Sequence, residues 1–299
     1  MVDTFIAKIP AREFQGIISW INSEPLGMKG LRGKVVLLDF WSYTCVNCLR
    51  TLQHVKAWHE KYSKDGLVVI GVHSPEFEFE KGVQNVKKAV ERLGIKYPVA
   101  VDSDMATWDV YDAQCWPARF MIDKDGFLCY VQFGEGNYAQ TEAEIQAQLG
   151  ISKKMEKEEY SGYMFDQSPE EYAGFAKNSG LGSGLACDKD GCDVYMDTGA
   201  HERDVIYPHG QWIQERDYLE LKKAPGKISY RFNAREANVV IVPLGSPVKA
   251  DVFIDEKKIG EVAIDTPRMY TVFRDKSYAL RELSLIFNGP VRVYAFTFG

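Results

Sequence analysis

An apolar strand that runs straight into a cysteine-bearing helix constrains this chain more than any other feature. Residues 34–41 form an apolar run interrupted by one carboxylate, Asp39, and apolar residues spaced for one helix face follow the Cys-x-x-Cys pair Cys45 and Cys48. We expect Cys45 at the helix N-terminus, where unpaired backbone N–H groups and the helix dipole favour a thiolate. Because the thiolate is the species that attacks disulfides, the pattern predicts a reversible redox pair.

The carboxylate on the strand adds a proton-transfer group to this pair. Strand alternation places Asp39 on the same face as Trp41, pointing towards the start of the helix. Burial disfavours the charged form, so we expect the pKa of Asp39 to be raised. Such a carboxylate can take a proton from Cys48 when that thiol must attack. The alternative is a core aspartate satisfied by backbone donors.

Two other uses of the cysteine pair fit less well. A tetrahedral zinc site needs two further ligands, and His54 and His59 on the same helix are poorly spaced for it. A peroxidatic cysteine would be expected to have a proline and a threonine upstream, but no proline lies close before Cys45. We therefore expect no metal, and no cofactor other than a Cys45–Cys48 disulfide.

Length and patterning indicate two domains. The 299 residues exceed the size of one hydrophobic core. Over residues 1–150, strands alternate with helical patterns, including an N-terminal helix over Phe14 to Ile21, which predicts an α/β domain. After a charged linker at 151–166, short alternating strands at 167–299 predict an all-β jelly roll or β-sandwich.

Charge and hydropathy exclude some partners. The net charge of -6, without a basic cluster, argues against nucleic-acid binding. No apolar run approaches the roughly 20 residues that span a bilayer, and no signal peptide is visible. We expect a cytoplasmic location if Met1 is the native start, and an extracytoplasmic or periplasmic one if a leader has been trimmed.

Several stretches give the chain a family resemblance that covers nearly its whole length. They are residues 31–36, 41–52, 69–77, 116–118, 133–136, 168–172 and 294–299. The first half resembles the thioredoxin fold, in particular the TlpA/ResA-like branch, with residues 67–101 as its inserted strand and helix. The whole chain is similar to the soluble C-terminal region of DipZ-type proteins.

The resemblance implies a role for each residue of the site. Cys45 would be the nucleophile and Cys48 the resolving thiol, with Asp39 as the buried proton acceptor. Pro117 would be the cis-proline beside the disulfide, and the Trp116 backbone would pair with an incoming peptide. The expected substrate-binding residues are Trp41 and Trp116.

The resemblance also implies partners and a reaction. The leading hypothesis is a protein-disulfide oxidoreductase that acts in the reductive direction through a mixed disulfide, with a membrane protein as electron donor. The alternative is a binding protein whose carbohydrate-binding-module-like β-sandwich recognises a glycan or a protein. Aromatic side chains could stack on a sugar there, or pack in the core. The candidates are Trp212, Tyr218, Tyr270 and Tyr278.

The other cysteines have open roles. Cys187 and Cys192 bracket an acidic loop and could form a structural disulfide, stay free, or exchange with the first pair. Cys115, close before Pro117, is either a third redox thiol or a small buried side chain. Cys129, in a predicted strand, is expected to be structural.

Overall fold

The structure is a computed structural model that describes residues 9–155, 166–188 and 191–299, without the side chains of residues 187, 188, 191 and 192. The chain divides into two compact units, Met1–Gly162 and Tyr163–Gly299. The first is α/β and the second is all-β, as predicted. No helix among the described residues is long and apolar enough to span a membrane.

The first unit is a sheet flanked by helices. Its strands are β1 (Ile9–Pro10), β2 (Ser19–Ile21), β3 (Val35–Trp41), β4 (Leu67–His73), β5 (Val99–Val101), β6 (Ala118–Ile122) and β7 (Phe127–Phe133). Its helices are α1 (Val46–Tyr62), α2 (Val83–Arg92), α3 (Ala106–Val110) and α4 (Tyr138–Leu149). Short 3-10 helices cover Met28–Leu31, Ser63–Asp65 and Glu78–Lys81. The strand order is β1-β7-β6-β3-β4-β5-β2.

Strand β3 is the centre of this sheet and carries the site. It pairs parallel with β4 and antiparallel with β6, and every one of its residues is buried. A strand covered on both faces is largely apolar, which explains every residue of β3 except Asp39. Alternation then directs Val35, Leu37 and Trp41 into the same core cluster as Leu52 of α1. Asp39 shares that face, so it lies between the sheet and α1.

The prediction of a helix over Phe14 to Ile21 is wrong. Residues 14–21 contain no helix, and β2 instead pairs antiparallel with β5. Gly16 adopts a positive φ of 62°, which interrupts helical geometry. The ring of Phe14 packs edge-on against Trp20, with centroids 5.2 Å apart. Backbone groups at the edge of β5 form hydrogen bonds with β2, and the short apolar periodicity of residues 14–21 could not predict this long-range pairing.

The second unit contains long strands where the sequence predicted short ones. The strands are β8 (Glu171–Tyr172), β9 (Gly184–Asp188), β10 (Gly191–Met196), β11 (Ile206–Gln214), β12 (Leu219–Pro243), β13 (Val248–Ile254), β14 (Lys257–Ile264), β15 (Arg268–Phe287) and β16 (Val291–Phe298). Val293 of β16 pairs with Leu219 near the start of β12 and with Ile241 near its end. The sheet therefore folds back on itself around one core.

The four aromatic side chains proposed as a sugar-binding platform do not form one. Trp212 and Tyr270 are 0% and 2% exposed and belong to the core of the second unit. Tyr218 packs against Tyr294, with ring centroids 5.2 Å apart. Tyr278 lies under the guanidinium of Arg235. The alternative interpretation, packing in the core, is confirmed for Trp212 and Tyr270, because their rings lie in the hydrophobic core of the second unit.

The packing between β4 and β3 leaves no room at Gly71. A Cβ there would lie 2.9 Å from Nε1 of Trp41 and 3.1 Å from the ring of Tyr97. We expect Gly71→Ala to lower the free energy of unfolding by about 1–3 kcal/mol, as overpacking does. Urea unfolding measures this. Gly30→Ala, where a Cβ meets nothing within 4 Å, is the control and should not destabilise. Equal losses in both variants would contradict the prediction.

Candidate active site

The two cysteines differ in exposure. Cys45 is the N-cap residue of α1, and its Sγ accepts a hydrogen bond from the Cys48 backbone N–H at 3.2 Å. Cys45 is half-buried, whereas Cys48 is 3% exposed, and both are free thiols in this structure. Burial raises the pKa of the Cys48 thiol, and the neighbouring Cys45 and Asp39 raise it further. Cys45 is therefore the sulfur that solvent reaches, whereas the buried Cys48 stays a protonated thiol at neutral pH.

Asp39 is the carboxylate whose charge contributes to the raised pKa of Cys48. It is 2% exposed, and its Oδ1 has no hydrogen-bond partner among the described residues. Burial raises the pKa of Asp39 to about 7, although the positive charge of Arg119 opposes the rise. A group with a pKa near 7 can both accept and release a proton at neutral pH.

The predicted proline follows Cys115, a thiol close enough to Cys45 for the two to interact electrostatically. The Trp116–Pro117 peptide bond is cis. The Trp116 indole N–H donates to the backbone oxygen of Ser74 at 2.9 Å, and its half-buried ring lies on that of Trp108. The hydroxyl of Ser74 donates to Asp102 at 3.0 Å. Trp116 is thus held in place from the end of β4.

A second buried carboxylate holds the loop that precedes Cys45. Oε1 of Glu80 accepts hydrogen bonds from the hydroxyls of Ser42 at 2.6 Å and Thr44 at 2.7 Å. Its Oε2 accepts from the backbone N–H groups of Glu76 and Phe77. Burial raises the pKa of Glu80, and these donors oppose the rise. One carboxylate therefore fixes both the cysteine loop and the 3-10 helix after β4.

A buried histidine completes the packing under the loop. The ring of His73 stacks on that of Tyr43, with centroids 5.3 Å apart, and meets Trp41 edge-on. Burial lowers the pKa of His73 to about 3, so the ring is neutral at physiological pH. It fills the core rather than supplying charge to the site.

The other predicted residues lie in several places. Trp41 is 1% exposed and sits in the core, so its side chain offers no surface to a substrate. Cys115 is half-buried beside Pro117, and the charge of Cys45 contributes to its raised pKa, after burial. Cys129 is an exposed residue of β7 rather than a buried one. The side chains of Cys187 and Cys192 lie outside the described part of the structure.

Comparison with known proteins assigns the chain to a family. The AhpC/TSA family matches residues 11–131, and a thioredoxin-like C-terminal domain family matches residues 168–299. The chain is 33% identical to protein DipZ of Mycobacterium tuberculosis, over 97% of this chain and 43% of DipZ. It is 30% identical to the thiol-disulfide oxidoreductase YkuV of Bacillus subtilis, over 47% of this chain and 94% of YkuV. The chain belongs to the thioredoxin superfamily.

The predicted resemblance to the TlpA/ResA-like branch and to DipZ-type proteins is therefore confirmed. A solution structure of a thioredoxin-like protein in its oxidized form aligns over 48% of this chain and 96% of its own, with 30% identity and a TM-score of 0.44. The chain spans 43% of the length of DipZ. Within the described residues, no group of three or more His, Cys, Asp or Glu side chains could hold a metal ion.

Sequence reasoning did not identify several residues of the thioredoxin-like site. Glu80 is one of three glutamates within Glu76 to Glu80, and no sequence signal separates it from Glu76 and Glu78. Arg119 lies in an apolar run directly after Pro117 and Ala118, and an isolated charge in such a run was the one available signal. The register of the sheet, which places these residues, is set by long-range contacts.

Asp39 makes stability depend on pH. Its pKa is raised from 3.8 to about 7 in the folded state, so its contribution is complete at low pH and is lost as pH rises through that window. We expect Asp39→Asn to gain stability relative to wild type with rising pH, by about 1.4 kcal/mol per pH unit, levelling off above pH 7. Urea unfolding from pH 4 to pH 8.5 tests this. Asp104→Asn, at an exposed site, is the control. Parallel curves for wild type and Asp39→Asn would refute the prediction.

Glu80→Gln should destabilise the first unit. A carboxamide has one acceptor oxygen, so it cannot accept from all the donors that surround this carboxylate. We expect a loss of about 2–4 kcal/mol in the free energy of unfolding, measured with urea. Glu78→Gln changes a glutamate whose side chain is 77% exposed and should stay within about 0.5 kcal/mol of wild type. A Glu80→Gln variant as stable as the Glu78 control would show that the hydrogen bonds contribute little.

Proposed function

We propose that this chain is a thiol-disulfide oxidoreductase that acts on protein disulfides through Cys45 and Cys48. The observation that carries the proposal is the arrangement of the two sulfurs. Cys45 is accessible at the start of α1, whereas Cys48 is buried with Asp39 behind it. Such a pair separates the two steps of disulfide exchange, first attack and then release. Membership in the thioredoxin superfamily supports the same chemistry.

The reaction follows from these positions. The Cys45 thiolate attacks one sulfur of a substrate disulfide, and the other substrate sulfur leaves as a thiolate that takes up a proton. Cys48 then gives its proton to Asp39 and attacks Sγ of Cys45. The mixed disulfide breaks, and the second substrate sulfur leaves as a thiolate that takes up a proton. The substrate is reduced by two electrons, and Cys45 and Cys48 are oxidised to a disulfide. No cofactor other than this disulfide takes part.

The raised pKa of Cys48 supports the reductive direction. Dithiols that are strong oxidants owe this property to a stabilised reduced form. Here burial disfavours the Cys48 thiolate, so ionisation of Cys48 adds no such stabilisation to the reduced pair. A second dithiol must then reduce the Cys45–Cys48 disulfide after each turnover. By resemblance to DipZ-type proteins, we propose that a membrane protein supplies those electrons.

The surface around Pro117 is the proposed contact for the substrate chain. Trp116 follows Cys115, whose pKa is influenced by Cys45, and its indole is held by Ser74. Trp41 is left out of this contact because its side chain is buried. The second unit has no assigned ligand in this proposal, since its proposed sugar platform is not formed.

Single cysteine variants test the reaction. We expect Cys45→Ser to reduce insulin disulfides no faster than the uncatalysed background, because the attacking sulfur is gone. Cys48→Ala should lose turnover and accumulate a mixed disulfide at Cys45, visible by non-reducing electrophoresis and mass spectrometry. Cys129→Ser, an exposed cysteine of β7, is the control and should keep wild-type activity.

The outcomes separate the hypotheses. Full activity of Cys45→Ser would end the proposal, and so would a Cys48→Ala variant that forms no mixed disulfide with substrates that wild type reduces. Identifying the protein trapped by Cys48→Ala gives the physiological substrate. Its compartment and its redox state in the cell then give the direction of exchange.

A further inference from the structure

A fully buried arginine lies beside the proposed proton acceptor and has no part in the reaction described so far. Arg119 follows Pro117 and Ala118 in β6 and is 0% exposed. Charged side chains are almost never buried this completely unless an opposite charge or strong hydrogen bonds compensate them. The structure therefore raises the question of what this charge does in the core.

The sheet register places Arg119 directly opposite Asp39. The two residues are Cα partners in the antiparallel ladder between β6 and β3. Paired residues of antiparallel strands point to the same face, which here is the face covered by α1. Both side chains are buried, so the attraction between their charges is weakly screened by water.

The guanidinium is held by groups that match its shape. It lies over the rings of Trp58, 5.8 Å from the centroid, and Tyr138, 5.2 Å from the centroid. Its Nη2 donates to the backbone oxygens of Gly136 and, at 3.5 Å, Gly134. A planar cation between aromatic faces and carbonyl oxygens has a fixed place, which a flexible ammonium would hold less well.

The groups that face Asp39 come from four parts of the first unit, and one of them is a cation. Burial raises the pKa of the Tyr97 hydroxyl and of the Cys48 thiol, and Asp39 adds to both rises, so these groups are neutral when Asp39 is charged. His73 is also neutral near pH 7. Among the described residues these groups are Cys48 on α1, Gly71 on β4, Tyr97 ahead of β5 and Arg119 on β6. The charge of Arg119 also acts on the Glu135 carboxyl group, between β7 and α4, where it opposes the rise in pKa that burial causes.

We propose that Arg119 is a positioning residue for the dithiol reaction: its buried charge keeps Asp39 ionised near neutral pH and so ready to take the proton of Cys48. This inference rests on the proposed function. Without the cation, burial alone would act on Asp39, and the carboxyl group would stay protonated to higher pH. A protonated Asp39 cannot accept the Cys48 proton, so the release step would slow at neutral pH.

A purely structural role makes a different prediction. If Arg119 only filled space and held the backbone oxygens of residues 134 and 136, its loss would lower stability and leave the pH dependence of the reaction unchanged. The pH profile therefore distinguishes the two roles.

The experiment compares the pH dependence of insulin reduction, from pH 5 to pH 9, in the full chain and its variants. Arg119→Met removes the charge and keeps the length of the side chain. We expect its rate to rise at higher pH than that of wild type, with about a tenfold loss at pH 6 for each pH unit that the midpoint moves. Arg119→Lys keeps the charge and should restore most of the wild-type profile. Arg32→Met, at an exposed arginine, is the control for losing a positive charge.

A measurement that does not need activity tests the same coupling. The midpoint of the Asp39-dependent stability change, followed by urea unfolding, should move to higher pH in Arg119→Met. If Arg119→Met folds poorly, Arg119→Met combined with Asp39→Asn removes both charges and should recover stability. Unmoved midpoints in Arg119→Met, or an Arg119→Lys profile displaced as far as that of Arg119→Met, would overturn the inference. A wild-type chain that reduces no disulfide would instead refute the proposed function, and the stability midpoint would still decide the coupling.

Discussion

The burial of the Asp39 carboxyl group between strand β3 and helix α1 is the constraint on which the proposed site depends. Ionising Asp39 in an apolar core is costly, and the fold lowers this cost with a single cation on the adjacent strand. The balance leaves the carboxyl group poised near pH 7, under a thiol whose own ionisation is suppressed. The burial that raises the pKa of Asp39 costs stability at high pH, and it is what would let this carboxyl group serve as the proton acceptor that we propose.

The segment between β4 and β5 forms hydrogen bonds with two parts of the site, the loop before Cys45 and the side chain of Trp116. Glu80 binds the loop before Cys45, while Ser74 holds the indole of Trp116 next to the cis-proline. Both anchors are buried and hydrogen-bonded, so they position the reacting groups without adding charge at the surface. The segment between β4 and β5 therefore fixes both the loop before Cys45 and the side chain of Trp116.

Local patterns were sufficient for the elements that are strongly apolar or sharply bounded. The continuous apolar run of β3 and the spacing of the apolar residues of α1 both follow from the sequence. The structure of residues 14–21 could not be predicted in this way. Their short apolar periodicity indicated a helix, but part of the segment forms a strand that pairs with β5, which is far away in the sequence. The long strands β12 and β15 were also missed, since bends within a strand resemble the ends of two strands.

The sequence by itself determined the pair Cys45 and Cys48, the helix start on which Cys45 sits, and the carboxylate on the preceding strand. These features are encoded within one stretch of chain, where strand and helix periods fix which side chains share a face. Only the tertiary structure decided that Arg119 lies opposite Asp39, that Glu80 holds the cysteine loop, and that Trp41 is buried. These contacts join residues far apart in sequence, and their positions depend on sheet register and packing rather than on any local preference.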